Sequence, residues 1–540
     1  MSGMVIHTQF VQVGERRVLV RAAGRGPALV LLHQSPESSL SMLPWFERLA
    51  GRFAVFAPDT PGFGFSDPLP LTQPGIPDLA AALGALLRSL GIERALLFGV
   101  HTGAAIATRL ARDEPAAVAG LVCDGLSAFR PDERQPLLDG YLPPFEPSWD
   151  GAHLLWLWAR IREQTLFFPW HVSTAAARLR YPLATPAQIH KSVMELLDAG
   201  DGYRAGYRAP LLYEHGAASA AELQVPAQLL YRRQDVLRPH LDRLPPLPAQ
   251  VSAREVPDAA ALTAAALAAF EAQAAGASTV DAAAALSRAL SPTRRIVATP
   301  HGLLAFHRAP GDGACAELSL GDIGTPAALP ADRSPGALAL ALDLPGHGAS
   351  SGWAAESLMS DEWLDALIDA LPGLGVSAGL RLRGRGGGAA LALALARRLG
   401  PRCERLWLHD PLLLAPDERA RFLAGLPPLA LQASGAHLIE VWNWVRMKSL
   451  FWPWLLPDGD AAIDAAAPPP RRVHGEAVEL LRAGPCVAAL WQRALDQEAC
   501  SPAGLNLAAC RLSAAPQAEM QGLLQRLQAL WAGAGDPART

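Results

Sequence analysis

The segment Gly99-Val100-His101-Thr102-Gly103 places an imidazole where its two glycines, spaced as G-x-x-x-G, would present a nucleophile. Glycines at these positions permit a sharp turn between a buried strand and a helix, and that turn pushes the central side chain outward. Here the central residue is His101 and not Ser, Asp or Cys. A carboxylate that could orient it stands at Asp235, after the apolar run Gln228 to Arg232. His33-Gln34-Ser35-Pro36 follows another apolar run and sits where a loop amide would stabilise an oxyanion. Ser35 would supply one N–H and Thr102 the second, with Gln34 beside them. The region Val251 to Ala261 contains no His. Two readings of His101 follow. In one it lines a pocket and the domain binds without catalysis. In the other the imidazole, held by Asp235, takes a proton from water as a general base. Thr102 as nucleophile is a poorer third option, because its amide and not its side chain would face the reaction.

The segment between about 130 and 223 is rich in Trp and helical in pattern, and it adds His153, Arg162, Trp170 and His190 as candidate substrate contacts. Arg162 beside aromatic rings would suit a carboxylate-bearing substrate. The same residues also serve as ordinary packing and surface groups. No metal site is expected, since the histidine spacing matches no compact ligand set.

The elements that must position these residues are legible. Arg17 to Ala22, Ala28 to Leu32, Ala54 to Pro58, Arg94 to Phe98, Ala119 to Cys123 and Gln228 to Arg232 read as strands. Leu79 to Leu90 and Ala104 to Arg112 read as helices between them. Strands alternating with helices predict a mostly parallel, doubly wound sheet covered on both faces.

The chain repeats itself. Gly151-Ala152-His153-Leu154 recurs as Gly435-Ala436-His437-Leu438, and Asp59-Thr60-Pro61-Gly62 as Asp343-Leu344-Pro345-Gly346. Thr165-Leu166-Phe167-Phe168-Pro169-Trp170 recurs as Ser449-Leu450-Phe451-Trp452-Pro453-Trp454, at the same offset of about 284 residues. Two copies of one domain are expected, at 1–275 and 295–540, joined by an Ala-rich linker at 276–294, with helical insertions at about 130–223 and 415–495. In the second copy the turn reads Gly384-Arg385-Gly386-Gly387-Gly388, so Gly386 replaces His101 and leaves open space. The strand and acid matching Pro226 to Asp235 look deleted there, and triad catalysis is excluded.

These motifs resemble the α/β-hydrolase superfamily, in the capped branch that includes epoxide hydrolases, haloalkane dehalogenases and C–C bond hydrolases. They are similar to a bacterial group with an H-Q-x-P loop and a G-x-H-T-G elbow. The resemblance covers about Phe10 to Phe270 and, with decay, Ile296 to Leu530. It implies two tandem doubly wound sheets with helical caps, no cofactor, and hydrolysis of a small organic substrate. It implies no single activity for the group. Neither copy carries an intact Ser-His-Asp triad.

Composition narrows the rest. The chain has 540 residues, half of them hydrophobic and 18% charged, with a net charge of −4. No segment is densely basic, so nucleic acid and anionic membranes are not expected partners. Six scattered cysteines without a C-x-x-C pair suit a reducing cytosol. The N-terminus lacks the pattern of a signal peptide, and no segment reads as a membrane span. Three functions remain open: a hydrolase using His101 and Asp235, an inactive pseudo-hydrolase that binds a small molecule or protein, or a cofactor-free lyase or oxygenase with His101 as base. The two copies are expected to pack as a pseudo-dimer.

Overall fold

The computed structural model describes residues 4–513 apart from 214–215, 312–314, 378, 413, 415, 452–461, 463–465 and 497–509. The chain divides into two compact units. One comprises Met1–Glu146 with Trp156–Ser291, and the other Pro147–Leu155 with Pro292–Thr540.

The first unit is built on nine strands: β1 (His7–Val13), β2 (Arg16–Ala23), β3 (Arg25–Leu32), β4 (Ala54–Pro58), β5 (Ala95–Val100), β6 (Val118–Asp124), β7 (Ala227–Arg232), β8 (Val251–Val256) and β9 (Thr279–Asp281). Their order is β1-β2-β4-β3-β5-β6-β7-β8, with β9 added to β3. β1 and β2 pair antiparallel, and β4, β3, β5, β6, β7 and β8 run parallel. The central strands are apolar along their length because helices cover both faces. On one face lie Leu83, Leu87, Ile106 and Leu110. On the other lie Phe46, Leu262, Ala266 and Phe270. The segment Ala259–Gly276 is long and apolar enough to cross a membrane by length and composition. Here its Leu262, Ala266, Ala269 and Phe270 are buried in the second core cluster. Five α-helices, from Pro131–Gly140 to Gly216–Ala221, fill the insertion between β6 and β7.

The expected linker at 276–294 is part of this unit as far as Ser291. β9 pairs antiparallel with β3, and Arg25 bonds Asp281 at 3.0 and 2.6 Å. The Asp281 side chain also caps the helix Ala282–Arg288 by accepting from Ala284 N at 2.9 Å. Ala282, Ala285 and Leu286 of that helix are buried. Their helical spacing turns an alanine-rich stretch into a packed face.

The second unit's sheet holds β10 (Arg294–Thr299), β11 (Gly302–Ala309), β12 (Ala316–Leu320), β13 (Leu338–Asp343), β14 (Leu380–Arg385), β15 (Cys403–His409) and β16 (Cys510–Ser513). The order β10-β11-β13-β12-β14-β15-β16 reproduces that of β1 to β7. β16 runs parallel beside β15, as β7 does beside β6. The strand after the second insertion is therefore present, contrary to the expected deletion. It is four residues long, which hides it from pattern reading. Residues 514–540 lie outside the described residues, as do Trp452-Pro453-Trp454 of the repeat; of the elements expected from Leu505 only Cys510–Ser513 is described.

Candidate active site

The turn after β5 takes the strained form its glycines suggested. His101 has φ 46° and ψ −102°, one of two non-glycine residues at positive φ among those described. Such a conformation costs about 1–3 kcal/mol and persists only where surroundings hold it. A Cβ at Gly103 would collide with the Leu32 carbonyl, and one at Gly99 with the backbone of Gly103. His101 N donates to the Asp124 carbonyl at 3.0 Å. Gly125, at φ 74°, makes room for the ring, since a Cβ there would stand 2.8 Å from His101 Cδ2.

His101 Nε2 lies 3.0 Å from Asp235 Oδ1 and 3.1 Å from Oδ2. Asp235 is fixed from two further sides. Leu237 N donates to Oδ1 at 2.9 Å, and Arg232 donates to Oδ2 at 2.6 Å. Arg232 also reaches Asp124 Oδ1 at 3.1 Å. Burial raises the Asp235 carboxyl, but His101 and Arg232 outweigh it and hold it down at about 2. Burial likewise opposes a charged His101, yet the charge and hydrogen bond of Asp235 lift it above its ordinary value. Asp124 is pushed up by burial, against the pull of Arg232 and His101.

The loop after β3 is pinned by His33. Its Nδ1–H donates to the Gln34 carbonyl at 2.9 Å, and Nε2 accepts from Thr60 N at 2.9 Å. Burial lowers His33, which suits this neutral tautomer. Neither Ser35 N nor Thr102 N has a hydrogen-bond partner among the described residues. Both residues line a cavity of about 550 Å³ together with Gln34, His101 and Asp235.

Four expected contacts do not line that cavity. Arg162 is half-exposed and pairs with Glu163 at 3.3 Å on its own helix. Two residues earlier, on another face of that helix, Arg160 is 1% exposed and stacks on Tyr141, Trp170 and Tyr203. Trp170 is a packing residue: its indole donates to the Tyr141 carbonyl at 3.1 Å and its ring lies over Arg160. His190 faces away, because the helix Pro186–Ala199 turns Gln188, Ile189, Ser192 and Glu195 to the cavity at three- and four-residue spacing. His153 falls in the second unit, where Nδ1 accepts from Ser148 N at 3.1 Å and Nε2 lies 3.1 Å from His474 Nδ1. Burial, followed by the charge of His474, depresses His153 to about 4, so it is a neutral structural group.

Sequence reasoning missed Glu37, Tyr141, Tyr181, Tyr207 and Glu195, all on the cavity wall. Tyr207 and Glu195 lie on helices whose cavity face shows only once they are docked. Gly125, directly after a buried strand, was a legible signal for close approach to that strand's neighbour.

In the second unit Gly386 repeats the turn at φ 55° and ψ −126°. The space beside it is filled, which corrects the expectation of an opening. Asp322 Oδ1 accepts from Gly387 N at 2.8 Å and from Ile323 N at 3.0 Å. Lys448 Nζ sits 2.5 Å from Asp322 Oδ2. A Cβ on Gly386 would collide with that carboxylate.

Residues 27–189 match the family described as alpha/beta hydrolase fold. This match and the sheet order give the first unit the alpha/beta hydrolase fold. An uncharacterized hydrolase of Saccharomyces cerevisiae is 30% identical over 152 residues, covering 28% of this chain and 51% of that protein. A fluoroacetate dehalogenase of a Burkholderia species is 32% identical over 122 residues, covering 21% and 38%. The chain thus spans about half or less of the length of the curated relatives it matches. Among solved structures, epoxide hydrolase A of Mycobacterium thermoresistibile is 23% identical with a TM-score of 0.38, covering 51% of this chain and 100% of that one.

Proposed function

We propose that the first unit is a cofactor-free hydrolase of a small organic substrate, with His101 as general base and Asp235 as its orienting acid. The observation that supports this most is the 3.0 Å contact between His101 Nε2 and Asp235. With Nε2–H given to Asp235, Nδ1 keeps the lone pair, and it has no partner among the described residues. Nδ1 would take a proton from water as that water attacks the substrate carbonyl. The amides of Ser35 and Thr102 would hold the resulting oxyanion. No acyl-enzyme forms, since the turn carries no serine. An ester, thioester and epoxide panel tests the reading. His101→Ala is expected to lower hydrolysis by about 10²–10⁴-fold. Undiminished turnover in that variant rules the reading out.

A second reading is a pseudo-hydrolase that binds without turnover. It is favoured by the raised titration of His101, which keeps the ring charged and unable to accept a proton at lower pH. The shared strand order of the two units supports descent by tandem duplication. The second unit is then a degenerate copy with its anion site closed by Asp322. Free thiols at Cys123, Cys315 and Cys486 fit a reducing cytosol.

A further inference from the structure

The cavity is lined by a second set of polar groups besides the dyad. Glu195 is 5% exposed and lines it. Its Oε1 accepts from Ser38 N at 3.3 Å and from Ser38 Oγ at 3.1 Å. Its Oε2 has no hydrogen-bond partner among the described residues. Glu37 lines the same wall and accepts from Gln34 Nε2 at 2.9 Å. That bond leaves Gln34 Oε1 without a donor among the described residues.

Among the described residues no cation pairs with this group. Arg232 is committed to Asp124 and Asp235. Arg21 feels the charge of Glu195, but its guanidinium bonds Ser39 and lies 3.5 Å from Asp59. Lys191 acts on Glu195 through its charge, and the two form no ion pair among the described residues. Burial, reinforced by the like charge of Glu37, pushes the Glu195 carboxyl up to about 7. The lining also includes the aromatic rings of Phe129, Phe168 and Tyr207, while Arg160 lies over Tyr141. Aromatic faces attract cations.

We propose that the Glu37–Glu195 wall of this cavity receives the ammonium group of a protonated primary amine carried by the ligand. An ammonium has three N–H donors and no acceptor. Glu195 Oε2, Glu37 and Gln34 Oε1 are three acceptors with spare capacity on one wall. An arriving cation replaces the proton that Glu195 otherwise holds, so binding near neutral pH releases protons. The inference rests on reading this cavity as the substrate site. It gives the substrate a polarity opposite to the carboxylate that Arg162 suggested.

Isothermal titration of the full chain at neutral pH with 2-phenylethylamine, 2-phenylethanol and phenylacetate tests it. The amine should bind about tenfold or more tighter than the alcohol, as a hydrogen bond to a charged group contributes more than 1.4 kcal/mol. Phenylacetate should bind weakest. The amine's binding enthalpy should depend on the ionisation enthalpy of the buffer, reporting proton release. Glu195→Gln should abolish the proton release and lower amine affinity about tenfold, with the alcohol unchanged. Glu37→Gln should also weaken the amine. If Glu195→Gln does not fold, the ranking and proton release of the unaltered chain still decide. The proposal falls if the amine binds no tighter than the alcohol, if phenylacetate binds best, or if both variants keep the amine preference. Turnover does not enter this readout. Amine preference without hydrolysis removes the hydrolase reading alone, and hydrolysis of neutral substrates without amine preference removes this inference alone.

Discussion

Nε2 of His101 stands almost equally far from both carboxylate oxygens of Asp235, at 3.0 and 3.1 Å. An imidazole on the turn itself thus contacts the acid directly, with no intervening loop histidine. Asp235→Asn removes the charge and keeps the shape. Burial alone disfavours a charged imidazole, so His101 in this variant should titrate below its position in the unaltered protein. A histidine NMR titration reads the shift. Hydrolysis should fall by about 10²-fold, the lower end of a general-base contribution.

The pH dependence has a defined sign. A base must be neutral, and His101 is raised above 6.5, so turnover should climb as pH rises through its folded value. Stability runs the other way for this group. Its contribution is complete below the unfolded value near 6.5 and is lost as pH rises through the folded one. Asp235, held at about 2, contributes above 3.8 and loses that contribution as pH falls toward 2. Urea midpoints across pH in His101→Ala should lose the alkaline edge and show a smaller acid edge, since Arg232 and Leu237 N still hold Asp235. Identical profiles would contradict the pairing.

Gly125→Ala should disturb the site while leaving the identity of both catalytic residues unchanged. The added Cβ meets His101 Cδ2 at 2.8 Å, and φ 74° disfavours any side chain. The backbone cost alone is about 1–2 kcal/mol. Thermal unfolding should report that loss, and hydrolysis should fall further than stability explains because the ring is displaced from Asp235.

In the second unit, Asp322→Ala leaves the Gly387 amide and the Lys448 ammonium without their shared acceptor. A loss of about 1–3 kcal/mol is expected for such unpaired groups. Formate should restore part of the melting temperature by entering the vacated position, while chloride at equal ionic strength should not. Failure of formate to rescue would show that the carboxylate serves only local loop packing.

Much of the frame was written locally. The period of apolar residues in β3, β5 and β6 and the glycines at 99 and 103 specify a buried strand, a strained turn and a helix. Those are properties of neighbouring residues along the chain, so the sequence alone determined that His101 sits on an elbow and that no serine does. The repeat likewise announced a second sheet of the same order. What lies across space was decided only by tertiary structure. Arg160 and not Arg162 is buried, because the docked helix selects which face turns inward. His153 became a structural group beside His474, and the alanine-rich segment at 276–294 became a strand and helix of the first unit. Asp322 filled the place that Gly386 had seemed to leave empty. The sequence separation of 134 between His101 and Asp235 carries no signal of their 3.0 Å contact. That distance is set by the parallel packing of β5, β6 and β7, which brings the ends of separate segments to one edge of the sheet.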